Sequence, residues 1–145
     1  MNRVIQPDMS YHGIDISEKI IKNNEKFSRP GVTFECLDVV NRKEWKNLTK
    51  RSADLAICLE VDIHLLRAEI PALLDFLFSE VNSKYLLILT KDELSREAAI
   101  ESIDDRWTNI NLTEYPQFEN ADCIFSWYYD YGTYQLFKHD KSNLQ

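Results

Sequence analysis

The chain has 145 residues, of which 44% are apolar and 28% charged, a composition typical of a globular domain with its own core. The formal net charge of −7 argues against a nucleic-acid partner, because phosphate binding needs a basic face. No apolar run is long enough to cross a bilayer, and residues 1–10 lack the apolar core of a signal peptide, so we expect a cytoplasmic protein without a membrane partner.

Three cysteines, Cys36, Cys58 and Cys123, lie far apart in the sequence. An odd number of cysteines without paired spacing fits a reducing compartment. We expect buried, reduced thiols, because free cysteine behaves as a small apolar residue. The spacing of histidine, cysteine and carboxylate residues predicts no metal site.

The first third of the chain predicts two short strands that each end at an aspartate. Residues 11–16 form the first predicted strand, which carries Asp15 near its end, and residues 32–37 form the second, which Asp38 follows. Between them, Ser17 can cap a helix over residues 17–27. Residues 41–50 predict a short polar helix that buries Trp45 and Leu48.

A continuous apolar run from Leu55 to Leu59 predicts a strand over residues 53–59 that is covered on both faces, as in a parallel sheet. Glu60, Asp62 and His64 follow this strand directly. Ligands of open α/β sheets bind beyond the carboxyl ends of the strands. The sequence therefore predicts that a functional site includes residues 60–64.

The remaining elements complete an alternating pattern. A helix stripe consists of Ile70, Leu73, Leu74, Leu77 and Val81, with Pro71 in the first turn. Residues 84–90 predict another buried strand, residues 92–103 an acidic helix, and residues 123–138 a hairpin. This order predicts an α/β fold in one domain, with a mainly parallel sheet and a C-terminal antiparallel hairpin.

Three segments resemble the class I S-adenosylmethionine-dependent methyltransferases: YHGIDISEKIIKNNEKF, VTFECLD and DLAICLEVDIHL. The resemblance extends over about residues 11–138 and implies a Rossmann-like methyltransferase sheet. It also implies transfer of a methyl group from S-adenosylmethionine to a small-molecule or protein acceptor that the sequence does not specify. Nucleic acid is not expected as the acceptor, and the sequence leaves the oligomeric state open.

The resemblance implies that the first two strand ends hold the adenosine part of the cofactor. Asp15, with Ile16 beside it, would accept hydrogen bonds from the ribose hydroxyls. Asp38 would accept from the adenine amino group, and Val39 would pack against the ring. A structural alternative exists for both aspartates, because Asp15 could help to cap the following helix and Asp38 could simply form a turn.

The third segment would lie beside the methionine part of the cofactor. By resemblance, Leu59 and Glu60 would contact it, and Glu60 could meet the ammonium group or could be a solvated charge. His64 is the candidate catalytic acid or base, because imidazole titrates near neutral pH. The alternative for His64 is to hold its loop in place.

One feature of the family is missing from the sequence. The glycine-rich turn after the first strand should precede Asp15 by about 20 residues, but Gly13 is the only glycine in that stretch. We therefore expect an N-terminally shortened methyltransferase that lacks its first βα unit and binds S-adenosylmethionine with a dissociation constant weaker than about 100 μM. The gap in the sheet would close by direct pairing of strands 11–16 and 53–59, or be filled by residues 2–6, in preference to a strand donated by a second copy.

Two other functions remain open from the sequence. A non-catalytic interaction module on a degenerate methyltransferase fold would present the hairpin, where aromatic residues concentrate. A nucleotide-binding oxidoreductase is a weaker alternative, because Asp15 would suit a ribose there too. Within the hairpin we expect Phe125 and Phe137 to pack in the core.

Overall fold

The computed structural model describes residues 8–49, 52–91, 112–129 and 132–139. The chain divides into two compact units, residues 1–50 and 51–145. The prediction of one domain stays a prediction. No helix in the described ranges is both long and apolar enough to cross a membrane.

The first unit is built on a parallel strand pair. Strand β1 (Tyr11–Asp15) pairs with β2 (Val32–Cys36) in register from Tyr11 opposite Val32 to Asp15 opposite Cys36. Helix α1 (Glu18–Glu25) connects them, and the Ser17 side chain accepts a hydrogen bond from the Ile20 amide at 3.4 Å. The two strands and the helix cap are those that the sequence predicts.

The predicted helix at residues 41–50 is wrong in its extent. Only one 3-10 turn forms, over Trp45–Asn47. Local bonds hold the preceding backbone in turns instead: Asn41 Oδ1 accepts from the Lys43 amide at 3.2 Å, and Asp38 Oδ1 accepts from the Val40 amide at 3.0 Å. Such side-chain acceptors compete with helix formation. Trp45 and Leu48 are nevertheless buried, as predicted.

The second unit contains a four-stranded sheet in the order β3-β4-β6-β5. Its strands are β3 (Leu55–Leu59), β4 (Tyr85–Lys91), β5 (Ala121–Tyr129) and β6 (Gly132–His139). The β3–β4 pair is parallel, whereas β6 runs antiparallel to both β4 and β5. The α/β class and the C-terminal hairpin are therefore confirmed.

One face of this sheet carries the core of the second unit. Helix α2 (Ile70–Asp75) continues into a π-helical turn over Phe76–Glu80, and both are mostly buried. On β3, the buried side chains of Ala56 and Cys58 alternate with exposed ones. Four residues of the apolar stripe that the sequence predicts are buried in this core: Ile70, Leu73, Leu74 and Leu77. The fifth, Val81, is half-buried.

The prediction that β3 is covered on both faces is wrong. Leu55, Ile57 and Leu59 are exposed, because β3 is an edge strand of its sheet and one of its faces is not covered. Direct pairing of β3 with β1 is also wrong, since the described strands form two separate sheets. Residues 2–6, which could fill the gap, lie outside the described residues.

Of five further side chains, two are buried as expected and three are exposed against expectation. Cys58 is buried as predicted, but Cys36 at the end of β2 and Cys123 within β5 are exposed. Phe137 is buried, whereas Phe125 is exposed on the edge strand β5 after a bulge between Cys123 and Phe125. The predicted helix at residues 92–103 lies outside the described residues.

Candidate functional site

The first candidate region is the carboxyl edge of the β1–β2 pair. Asp15 ends β1 opposite Cys36, and the Leu37 amide donates to the Asp15 carbonyl oxygen at 3.1 Å. Asp38 follows Leu37 directly. The structure thus brings Asp15 and Asp38 to the same edge of the sheet, as parallel strands require.

The Asp15 carboxylate has a structural partner. Its Oδ1 accepts a hydrogen bond from the Ser17 amide at 2.7 Å, which supports the chain as it enters α1. The alternative that Asp15 supports the start of the following helix is therefore correct for Oδ1. Among the described residues no hydrogen bond to Oδ2 is found. Asp15 is half-buried, so its second oxygen is suited to accept from a ligand hydroxyl.

Ile16 continues the chain past Asp15 with 68% of its surface exposed. Its carbonyl oxygen accepts from Cys36 Sγ at 3.4 Å, so the backbone here is tied to the end of β2. An exposed isoleucine on a fixed backbone is suited to apolar contact with a ligand.

Asp38 also has a turn role. Its Oδ1 accepts from the Val40 amide, and its own amide donates to Glu44 Oε2, both at 3.0 Å. The neighbouring Val39 is half-buried, and its carbonyl oxygen accepts from Trp45 Nε1 at 3.0 Å. The loop after β2 is consequently held in one shape by three hydrogen bonds.

In the second unit, Glu60 follows the end of β3 in a left-handed conformation with φ of 58°. This region is unfavourable for a residue with a side chain, and such conformations occur often at ligand sites. A 3-10 turn over Asp62–His64 comes next, in which the His64 amide donates to the Val61 carbonyl oxygen at 3.1 Å. The side chains of Leu59 and His64 are exposed.

Asp62 in this turn is buried and interacts electrostatically with Cys58 of β3. Asp62 is only 7% exposed although it is a carboxylate. Burial, and to a smaller extent the charge of Asp62, raises the pKa of the Cys58 thiol to about 12. The Cys58 thiol therefore stays protonated at neutral pH and cannot act as a nucleophile there.

A second polar cluster that the sequence did not reveal joins β1 and β2. His12 Nδ1 lies 2.8 Å from Thr33 Oγ1, and His12 Nε2 lies 2.9 Å from Glu35 Oε2. Thr49 donates to the same Glu35 oxygen through its amide at 3.2 Å and its hydroxyl at 2.9 Å. Because His12 is near the amino end of β1, this cluster stabilises the unit away from the Asp15 edge.

These regions offer ligand acceptors and a titratable group, but no metal centre among the described residues. Carboxylates at strand ends can accept from sugar hydroxyls or amino groups. Apart from Cys58 and Asp62, the acid and base groups at these strand ends are half-buried or exposed. The geometry thus favours binding and orientation over nucleophilic catalysis by the protein itself.

The comparison with solved structures supplies the fold family. NodS, an N-methyltransferase from Bradyrhizobium japonicum in complex with S-adenosyl-L-homocysteine, matches with a TM-score of 0.66 at 10% identity, over 91% of this chain and 67% of its own. The methyltransferase domain of bacterial CtHen1-C matches with a TM-score of 0.64 at 13% identity, over 90% of this chain and 77% of its own.

An rRNA methylase from Escherichia coli matches with a TM-score of 0.58 at 18% identity, over 90% of this chain and 49% of its own. No family model and no curated protein matches the chain. At these identities the likeness concerns the fold, which is the fold that the three sequence segments imply.

Proposed function

Because this chain has the class I S-adenosylmethionine-dependent methyltransferase fold, we propose that it binds this cofactor and takes part in methyl transfer to a small-molecule or protein acceptor. The observation that carries the proposal is the pair of aspartates, Asp15 and Asp38, at the carboxyl edge of β1 and β2. That edge is where open α/β sheets bind ligands.

The adenosine part would lie at this edge. Asp15 keeps its Ser17 hydrogen bond through Oδ1 and would accept from a ribose hydroxyl through Oδ2. Asp38 would accept from the adenine amino group, with Val39 against the ring and Ile16 alongside. The hydrogen bonds from Asp38 and Val39 into the following loop support this proposal, because a fixed loop loses little entropy on binding.

Residues at and after the carboxyl end of β3 are the candidates for the chemistry near the reacting methyl group. We assign Leu59 and Glu60 to the methionine part of the cofactor and His64 to proton removal from the acceptor. The cofactor supplies a methyl group activated by a sulfonium. Transfer of that group needs mainly positioning, and a base is needed only when the acceptor must lose a proton. His64 is suited to that role because its side chain is exposed.

From the positions of the three glycines we infer that the protein would hold only the adenosine part of the cofactor well. Gly13 lies inside β1, where an added Cβ would come within 2.9 Å of the Phe34 ring; Gly31 precedes β2; and Gly132 begins β6. None of the three opens a helix after a strand. A close backbone approach to the carboxypropyl part is therefore not provided by glycine.

The choice of acceptor follows from charge. Residues 1–50 carry nine Lys and Arg against seven Asp and Glu, a formal +2, whereas residues 51–145 carry eight against seventeen, a formal −9. Although one similar structure is an rRNA methylase, the acidic second part disfavours a polyanionic acceptor. The proposal includes a cytoplasmic location, which free thiols support.

Titration calorimetry with S-adenosylhomocysteine and with adenosine tests the proposal. We expect both ligands to bind with dissociation constants weaker than about 100 μM and within about fivefold of each other. Asp15→Ala should weaken both by about 1.5–3 kcal/mol, the scale of a hydrogen bond to a charged group. Asp15→Asn can keep the Ser17 bond and should weaken ligand binding without a comparable loss of stability.

Glu25→Gln is the matched control, because it removes one exposed carboxylate at the other end of α1. Its ligand affinities should equal those of the wild type. Absence of binding by either ligand at millimolar concentration would contradict the proposal and favour an interaction module. Equal affinities in wild type and Asp15→Ala would remove Asp15 from the site.

A further inference from the structure

The four-stranded sheet of the second unit has one face that the proposed function does not use. Directly paired residues in a sheet point to the same face. The register places Ile57 beside Leu87, Leu87 beside Leu136, and Leu136 beside Phe125, so these four side chains form one row across all four strands. Leu55 and Leu59 flank the row on β3, and Trp127 and Tyr134 flank it on β5 and β6.

This sheet face, defined by those eight residues, is apolar, and its exposed side chains belong to the two outer strands, β3 and β5. The exposed fractions are 44% for Leu55, 58% for Ile57, 41% for Leu59, 56% for Phe125 and 37% for Trp127. The central residues Leu87, Tyr134 and Leu136 are half-buried. None of the eight is charged. By the same register Tyr85, Lys138 and Asp122 lie on this face in the row of Leu55, so the apolar area is bounded by charged side chains at that end.

The aromatic half of the sheet face has an ordered arrangement. The rings of Trp127 and Tyr134 stack with centroids 4.8 Å apart and planes 9° from parallel. The Phe125 and Trp127 rings follow with centroids 5.2 Å apart. One lateral edge therefore presents a layer of ordered rings, while the other, β3, presents branched aliphatic side chains.

The area of the sheet face is at the upper end for a monomer. A large side chain carries roughly 150–250 Å², so at the exposed fractions above the five exposed residues present roughly 500 Å². The largest apolar patch of a typical monomer is about 300–600 Å² and is often functional. Two such faces packed together would remove about 1,000 Å² from water, which is about the threshold for a specific interface.

We propose that a second copy of this chain covers the sheet face, through a two-fold axis that lies between the sheets and runs parallel to the strands. That axis places the aliphatic strand β3 of each copy over the aromatic strand β5 of the other. Large rings then meet smaller branched side chains, which is how facing layers interdigitate in sheet sandwiches. The sheet face is thus self-complementary, whereas packing of aromatic on aromatic would leave the aliphatic edges unmatched.

The charge of the chain determines how this dimer responds to salt. Each copy carries a formal charge of −7, so two copies repel each other at low ionic strength. Added salt screens the repulsion and leaves the apolar contact intact. Self-association should therefore strengthen as salt increases, whereas binding of a cationic partner or of nucleic acid would weaken.

Sedimentation velocity of the full chain over about 5–500 μM tests the proposal. We expect a concentration-dependent dimer whose dissociation constant falls at higher salt. Ile57→Glu should raise the dissociation constant of the dimer at least about tenfold, because each of the two copies would then bury an added carboxylate in the interface. Trp127→Glu should act in the same way from the other lateral edge.

Ile20→Glu is the matched control, since Ile20 is an exposed isoleucine on α1 with 45% of its surface accessible and lies outside the sheet face. Its dissociation constant should equal that of the wild type. Circular dichroism melts establish that each variant is folded. A monomer at every concentration, or a dimer that both sheet-face variants leave unchanged, would overturn the proposal.

Cross-linking tests the axis itself. Variants Ile57→Cys and Phe125→Cys are made on a background in which the exposed Cys36 and Cys123 are replaced by serine. Mixing the two single-cysteine proteins with a short bis-maleimide should give the 57-to-125 heterodimer as the main product, since Cys58 is buried. A dominant 57-to-57 product would exclude an axis parallel to the strands and overturn the proposed arrangement.

Discussion

The different environments of two isoleucines in adjacent strands give a sharp test of the fold. Ile88 on β4 is 2% exposed, whereas Ile57 on β3 is 58% exposed. Both lie in the four-stranded sheet, and Ile88 pairs with Cys58, the residue next to Ile57. We predict that Ile88→Ala strongly destabilises the second unit and that Ile57→Ala does so only slightly.

The magnitude follows from the buried carbon atoms. Replacement of isoleucine by alanine removes three carbons, which at about 0.8 kcal/mol for each buried group amounts to about 2.4 kcal/mol at a fully buried site. The cavity left behind raises this to about 3–5 kcal/mol for Ile88. Ile57 is less than half covered, so about 1 kcal/mol is expected. The loss of strand propensity is common to both variants and cancels in the difference.

Urea unfolding at low protein concentration measures this difference, because any contact between copies is then minimal. Intrinsic tryptophan fluorescence includes Trp127 of the same unit, so the transition of this unit can be followed. We expect the two free energies of unfolding to differ by at least about 2 kcal/mol. A difference below about 1 kcal/mol would refute the assignment of β3 as an edge strand with one uncovered face.

Two further predictions concern titration and the polar cluster. Cys58 has its pKa raised from 9.0 to about 12, so between these values the unfolded chain binds fewer protons, and stability should fall with rising pH by up to about 1.4 kcal/mol per pH unit. Urea melts at several pH values above 9 should show this fall in the wild type and not in Cys58→Ala, and parallel profiles would contradict it. Glu35→Ala should cost about 1–3 kcal/mol, because its Oε2 accepts from His12 and twice from Thr49. Hydrogen exchange at the Thr49 amide should become faster in Glu35→Ala but not in Glu25→Ala, and unchanged exchange would show that the bond is not maintained in solution.

Local features of the sequence determined much of the secondary structure. Ser17 caps α1 because its side chain reaches an amide three residues ahead, and such a bond depends only on neighbouring residues. The strands at β1, β2 and β4 follow from short apolar runs between turn residues. Asp15 and Asp38 were placed at strand ends for the same reason, and the parallel pairing of β1 and β2 brought them to one edge.

The tertiary structure decided which side chains are covered. The run from Leu55 to Leu59 is apolar at every position, so the sequence pattern alone could not show that only Ala56 and Cys58 are buried. That outcome depends on which strands pair with β3 and on which face α2 packs, both of which involve residues remote in sequence. The same holds for Phe125, which a bulge and an edge position leave exposed.

The polar contacts show the same division between local and remote effects. His12 and Glu35 are 23 positions apart and meet only because β1 and β2 pair in one register. A shift of that register by one residue would place the two side chains on opposite faces. The sequence by itself determined the residues that can cap, turn and form strands, because those preferences are local. The pairing of distant strands decided which acids, thiols and apolar side chains lie in the core and which face water, because burial depends on neighbours that the chain brings together only when it folds.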